Sequence, residues 1–441
     1  MQVRCYHRPM HTPFRSSYDA IVVGSGPGGA SVARELAQRG LTVAILEQGS
    51  AAPVTGTLTQ MSAMAAIPGR GAYIHQDASL LVQGITAGGS STLNFATAAP
   101  PPPWLFAKYG VDLSSELQAL RAELPMAPLP DELIGPMAQR LMQAGQAAGL
   151  AWRKLDKMIR PQICRTGCWR CVYGCPFGAK WTARDFIDEA VCHGAHLLDQ
   201  TRALRIMHEK GQATGIECRH DGKTLIIHAT HIILAGGGIG TPRLLHASEL
   251  APRTSPFFSD PVVAVMGIAD DIHGGAEVPM AAGVYFQEQG ISLADLTLPK
   301  PMYQAFALQV GRIDRLFSHA QTLSVMVKIR DEIGGHIGPR WVNKSLQQND
   351  KAKFRDGIAL ARTVLKEAGA RRLFKSWHFA AHPGGSVRIG QGVDHHLRTP
   401  LSGLYVCDAS VIPEPWGLPP TLTLLSLGKR LGKAIASGQF N

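Results

Sequence analysis

Apolar patterning begins sharply at Tyr18. Residues 18–23 (YDAIVV) form a short apolar run, as a strand buried on both faces requires. A glycine-rich break follows, Gly24-Ser25-Gly26-Pro27-Gly28-Gly29. Residues 30–39 then place Val32, Leu36 and Ala37 at helical spacing. Gly40 stops the helix, and residues 41–46 (LTVAIL) predict a second strand that ends at Glu47. After a four-proline connection at 100–103, residues 105–151 read as helical and apolar. Residues 180–192 predict an amphipathic helix, and 196–235 is rich in strand residues. Residues 232–245 (IILAGGGIGTPRLL) repeat the order strand, glycine turn, helix. Residues 262–269, 283–286 and 322–327 predict strands of one sheet. Residues 350–373 predict a helix with a solvated basic face, and residues 423–437 predict a closing helix.

Composition narrows the classes. The chain has 441 residues, 45% hydrophobic and 17% charged, enough to bury a sizeable core. No apolar run is long and uncharged enough to cross a bilayer as a helix. The first residues carry Arg4, Arg8 and Arg15 without an apolar stretch, so no secretory signal is expected, and a cytoplasmic location is. The formal charge is +11. It is spread out, with no block of like charges and no basic run interleaved with aromatics, so no nucleic-acid partner is expected.

Two local patterns carry chemistry. The first is the glycine loop between strand and helix. Gly24 permits a tight turn, Gly26 admits the backbone to a pyrophosphate, and Gly29 lets helix and strand approach. Gly28 lies in the same loop, at a helix N-terminus whose N–H groups face the phosphates. Glu47 is placed to accept from a ribose hydroxyl. The motif does not by itself separate FAD from NAD. The second pattern is Cys164-x3-Cys168-x2-Cys171-x3-Cys175-Pro176, holding four of the eight cysteines. It is close to the ferredoxin run, which begins with a shorter spacing. A [4Fe–4S] cluster is the leading expectation. Zinc on four thiolates and a redox disulfide system stay open.

Three further stretches complete a pattern: Gly88-Gly89-Ser90-Ser91-Thr92-Leu93-Asn94, the 232–245 turn, and His382-Pro383-Gly384-Gly385 with the later Asp408-Ala409 and Pro420-Thr421. Together with the first motif they resemble the glucose–methanol–choline (GMC) oxidoreductases. The resemblance touches residues 18–48, 84–94, 231–250 and 377–432. It implies non-covalent FAD, an α/β fold with a doubly wound FAD-binding domain on a parallel sheet, and an α+β substrate domain. The cysteine-rich segment would be a short insert typical of an iron–sulfur subgroup. By position, Gly24, Gly26, Gly29 and Glu47 would hold the ADP part of FAD, with Ala235 bordering it. Gly89, Ser90 and Asn94 would follow the pyrophosphate and flavin. Asp408 and Ala409 would meet the ribityl region, and Pro420 and Thr421 the pyrimidine end. His382 would be the catalytic base, with His378 the weaker candidate.

The resemblance has departures. Pro419 stands where the family usually has a second active-site Asn or His. The position of covalent flavin attachment in some relatives falls near Asn94, which forms no histidyl link. The expected organisation is an extension (1–17), an FAD-binding domain (18–160 and 186–250, returning at 377–441), the cysteine insert (161–185) and a substrate domain (251–376). The expected function is oxidation of an alcohol to an aldehyde or ketone. Electrons would pass through the cluster to an external acceptor, a redox protein or quinone. The alternatives are a structural zinc or silent cluster, or a flavin electron-transfer module without alcohol chemistry.

Overall fold

The computed structural model describes residues 15–440, so most of the expected N-terminal extension lies outside the described residues. The apolar run at Tyr18 forms the strand Ser17–Val23, at the centre of a seven-stranded sheet. It pairs in parallel with Val43–Leu46 on one side and Lys223–Leu234 on the other. Val43–Leu46 continues in parallel to His196–Leu198. The twelve-residue strand Lys223–Leu234 divides its outer edge. Its first half pairs antiparallel with Gln212–His220, and its last three residues pair in parallel with Leu404–Val406. Five polypeptide ends therefore emerge together at the C-terminal edge of the parallel strands, where open α/β sheets bind ligands.

Two helices lie close against each other beside this sheet. The helix Pro27–Gln38 begins with Pro27 in its first turn, where the missing N–H costs nothing. The helix Thr421–Ala436 packs on it through small residues. A Cβ at Gly428 would lie 2.5 Å from the Gly28 carbonyl oxygen, and one at Gly432 would lie 2.6 Å from Glu35 Cβ. Ser31 Oγ donates to the Leu425 carbonyl at 2.8 Å, and Lys429 pairs with Glu35 at 2.8 Å, both buried.

The second, nine-stranded sheet includes Val262–Ile268, Thr322–Ile329 and Ala282–Phe286, the three strands expected to share one sheet. Ile291–Asp295 intervenes between the last two. The helix Gln348–Glu367 covers one face, burying Phe354, Ala361, Val364 and Leu365 against Val263, Val265 and Val327. It stops earlier than the charge pattern suggested. Gly369 turns the chain at φ +81°, and Arg371–Lys375 joins the sheet as a strand. The apolar region 105–151 is likewise broken into helices Pro103–Ala107, Ser114–Glu123 and Pro136–Ala147, with strand Met126–Pro128 between the last two. Tyr303, with Met302 and Phe306, packs into an apolar cluster beneath the opposite face of the sheet.

Candidate active site

The glycine loop leaves the strand Ser17–Val23 under tight constraint. Gly24 has φ +106°, and a Cβ there would fall 2.2 Å from the Ala235 carbonyl oxygen. Added Cβ atoms at Gly28 and Gly29 would fall 2.0 Å from Cys407 O and 2.2 Å from Gly24 O. Gly26 differs: a Cβ there would meet nothing within 4 Å. Three glycines thus let backbone segments pass close together, while the fourth faces open space beside a helix N-terminus that no side chain caps.

Glu47, at the end of its strand, is 5% exposed. Its Oε2 accepts from Ser25 N at 3.1 Å and Ser25 Oγ at 2.6 Å, and its Oε1 accepts from Gly49 N at 2.7 Å. Burial pushes this carboxyl above its usual range, and the three donors oppose that shift. Ser25 Oγ also accepts from Gly88 N at 3.1 Å, tying the first glycine loop to the second. A Cβ at Gly89 would lie 3.0 Å from Gly26 Cα. Ser90 Oγ accepts from Gly84 N at 2.9 Å. Asn94 Nδ2 donates to Thr421 Oγ1 at 3.2 Å, while its Oδ1 accepts from Ala96 N at 2.9 Å. Thr421 opens the closing helix just after Pro420, and no side chain caps that N-terminus either.

The last parallel strand delivers Asp408. Its Oδ2 accepts from Gly237 N at 2.8 Å and from Thr241 Oγ1, and its Oδ1 accepts from Ser410 N at 2.8 Å. Ala409 follows, its carbonyl accepting from Gly385 N at 3.0 Å. A Cβ at Gly238 would lie 2.0 Å from the Pro383 carbonyl, so the residue after His382 packs directly on the glycine turn that follows Ala235. Most of the residues expected to hold the cofactor therefore lie on loops that touch one another. The dinucleotide that the sequence implied fits this donor set: an uncapped helix end, open space at Gly26 and a buried carboxylate beyond it.

His382 is pinned by a reciprocal pair of backbone bonds between Phe258 and Gly384, each 3.0 Å. Its side chain is 27% exposed. Nδ1 lies 2.9 Å from Lys328 Nζ and 3.8 Å from Asp260 Oδ2, while Nε2 has no hydrogen-bond partner among the described residues. Burial, then the neighbouring Lys328, holds the imidazole below its usual range. Lys328 is 2% exposed and Asp260 fully buried, 3.6 Å apart. Neither residue was singled out from the sequence. The usable signal was a lysine inside the apolar strand TLSVMVKI, all eight of whose residues are buried. His378 is not brought to this place. It faces Asp77 at 3.4 Å, in a separate groove of about 440 Å³ shared with Trp377, Lys351 and Arg355.

The cysteine segment departs from its expectation. Cys164 follows a single 3-10 turn, Cys171 lies within another, and Cys175 has φ +54°. All four thiols are free. Among the described residues, no group of three or more His, Cys, Asp or Glu side chains is arranged to hold a metal ion, so the metal centre expected at Cys164, Cys168, Cys171 and Cys175 is not supported. The physical reason lies in the packing. Cys171 is buried in the main apolar core with Cys164 against it, and burial pushes the Cys171 thiol up to about 11. The segment instead adheres to the Gly88–Asn94 loop. The buried Lys180 donates to the carbonyls of Thr92 (2.7 Å), Asn94 (2.9 Å) and Cys171 (2.8 Å). No helix among the described residues is long and apolar enough to cross a membrane.

Known proteins share the sequence pattern and the fold. An uncharacterized GMC-type oxidoreductase of Mycobacterium tuberculosis is 28% identical, over 94% of this chain and 75% of its own. Long-chain-alcohol oxidase FAO3 of Arabidopsis thaliana is 23% identical, over 97% and 69%. Pyridoxine 4-oxidase from Mesorbium loti shares the fold with a TM-score of 0.74 at 17% identity, over 94% of this chain and 98% of that one. Formate oxidase shares it with a TM-score of 0.69 at 16% identity, over 97% and 99%. The N-terminal GMC oxidoreductase pattern matches residues 18–264 and the C-terminal pattern matches 336–428, so this chain belongs to the GMC oxidoreductase family.

Proposed function

We propose that this chain is an FAD-dependent oxidoreductase that oxidises an alcohol to an aldehyde or ketone and passes the electrons to an external acceptor, a redox protein or a quinone. The observation that carries the reading is His382. It is partly exposed, with Nδ1 engaged by Lys328 and Nε2 without a protein partner, on a segment packed against the glycine turn at 236–240. FAD bound non-covalently supplies the hydride acceptor. Gly24, Gly26, Gly28, Gly29, Glu47 and Ala235 would hold its ADP part. Gly89, Ser90, Asn94, Asp408, Ala409, Pro420 and Thr421 would hold the rest. His382 Nε2 takes the hydroxyl proton as the C–H bond breaks, a task suited to an imidazole. The division into a flavin-binding part (18–160, 186–250 and 377–441) and a substrate part (251–376) belongs to the same reading. So does the alcohol class, which the names of the plant alcohol oxidase and the pyridoxine oxidase favour.

The test is anaerobic mixing of the purified yellow protein with a panel of primary and secondary alcohols. Bleaching of the flavin bands by at least one alcohol, lost in His382→Ala at unchanged flavin content, is the expected result. Absence of bound flavin would overturn the reading. A [4Fe–4S] cluster at the four cysteines has one feature in its favour, their spacing along the chain. The donor geometry does not support it, and no step is derived through it. Iron, sulfide and zinc analysis of anaerobically purified protein decides the matter.

A further inference from the structure

The family's second active-site polar residue is replaced by Pro419, yet His382 is not alone. Lys328 reaches it from near the end of the strand Thr322–Ile329, whose register sets Lys328 opposite Val262, two residues after Asp260. Asp260 itself has φ +48°, and both its carboxylate oxygens are buried without a hydrogen-bond partner. A buried carboxylate in that condition is costly, and a proton placed on the neighbouring Lys328 amine would relieve it. The other groups near this trio are already engaged. Asp331 pairs with Lys344 at 3.3 Å and accepts from Ser259 N and Asp260 N, and the Tyr285 hydroxyl donates to the Trp416 carbonyl at 2.6 Å.

We propose that Lys328 is the positioning residue of this site. It fixes which nitrogen of His382 is free to act as a base, and it receives the proton that the imidazole takes from the alcohol. This rests on the reading of His382 given above. In the reactive state the Lys328 amine accepts from His382 Nδ1–H, which leaves the Nε2 lone pair bare. As the hydride leaves the alcohol carbon, the hydroxyl proton passes to Nε2 and the Nδ1 proton passes to Lys328. The site ends with a neutral imidazole carrying its proton on Nε2, and a Lys328 ammonium beside the Asp260 carboxylate. One proton has entered the trio and the C–H electron pair has left as hydride. Conversely, when Lys328 is an ammonium donating into Nδ1, the imidazole proton sits on Nε2 and His382 accepts nothing. Burial lowers Lys328 below an ordinary lysine, with Asp260 opposing, which keeps the amine form accessible.

The experiment uses the flavin-loaded chain with 15N-labelled histidine and the variants Lys328→Met, Lys328→Arg and Asp260→Asn. His382 is assigned by loss of its signals in His382→Gln. In the unmodified chain, raising the pH should move the imidazole proton from Nε2 to Nδ1, in step with the rise in the rate of anaerobic flavin bleaching. Lys328→Met should abolish that coupled tautomer change. Its bleaching rate at saturating alcohol should fall on the order of tenfold to a hundredfold with little change in KM, part of the range general bases supply. Its acid limb should move down toward that of a free imidazole, about 6.5. Asp260→Asn, which keeps both nitrogen groups, should move the acid limb to lower pH by about one unit or more, as loss of a nearby opposite charge does. Lys328→Arg stays charged and should hold the proton on Nε2 throughout and remain slow. A tautomer indifferent to Lys328, or unchanged limbs in both Lys328→Met and Asp260→Asn, overturns the proposal. If no alcohol bleaches the flavin while the tautomer still follows Lys328, the positioning stands and the alcohol reading fails.

Discussion

The glycine crevice and the cysteine segment touch, yet they are built on opposite principles. In the crevice, the helix ends are left open while the side chains around them are held by the protein. The helix ends at Gly26 and Pro420 lack side-chain caps, and no atom lies where a Gly26 side chain would be. In the cysteine segment, functional groups turn inward. Cys171 joins the apolar core, and Lys180 spends its three N–H donors on backbone carbonyls. A motif becomes a site only when the fold leaves its donors unsatisfied and facing common space. Spacing along the chain is necessary for this and insufficient.

The largest expected effect falls on the crevice. His382→Ala should slow alcohol-driven flavin bleaching on the order of 10² to 10⁴-fold, the usual contribution of a general base, with flavin retained. A smaller residual loss would move the base elsewhere and remove the contrast. Next, two glycine variants separate packing from ligand space. Gly29→Ala places a methyl against the Gly24 carbonyl and the Ala235 side chain, and should cost about 1–3 kcal/mol or more by overpacking, seen as a lower urea midpoint. Gly26→Ala meets no protein atom, so apoprotein stability should stay nearly unchanged while flavin occupancy falls. Equal losses of stability in the two would mean that Gly26 is a packing glycine like the others.

The junction of the two regions is tested by Lys180→Met. Three carbonyls lose their donor, so stability should fall by about 1–3 kcal/mol in denaturant unfolding. Because two of those carbonyls belong to Thr92 and Asn94, the visible circular dichroism of bound flavin should change as well. The smallest effect is expected at the thiols. With iodoacetamide at pH 8, Cys168 should label well before Cys171, whose burial keeps the thiol protonated. Uniform resistance of all four thiols, with about four iron per chain, would reverse the comparison and make the segment a cofactor site in its own right.

Much of the crevice was legible because its signals are local. A strand, a glycine loop, a helix and an acidic residue follow one another within thirty residues, and each step has a short-range cause. The strands 262–268 and 322–329 were legible for the same reason, through their apolar runs. The helix expected to reach Leu373 was misjudged because Arg371–Lys375 takes its conformation from pairing with Val265, Met266 and Ile268, far back in the chain. The metal centre expected at the cysteines finds no support in the structure, because four thiols at ligand-like spacing satisfy a pattern in one dimension, whereas holding a metal is a question of three.

The amino-acid order by itself determined that a parallel sheet would carry a glycine loop against a helix end, with an acidic residue at the next strand and a histidine on a late turn. Backbone sterics and hydrophobic periodicity act within a few residues, so that information is present in the string. Only the tertiary structure decided that Lys328 and Asp260, separated by 68 positions, would meet His382, and that the Cys171 thiol would be buried in the core. Those outcomes depend on strand register and on which buried charges find partners, and neither quantity exists until distant segments pack.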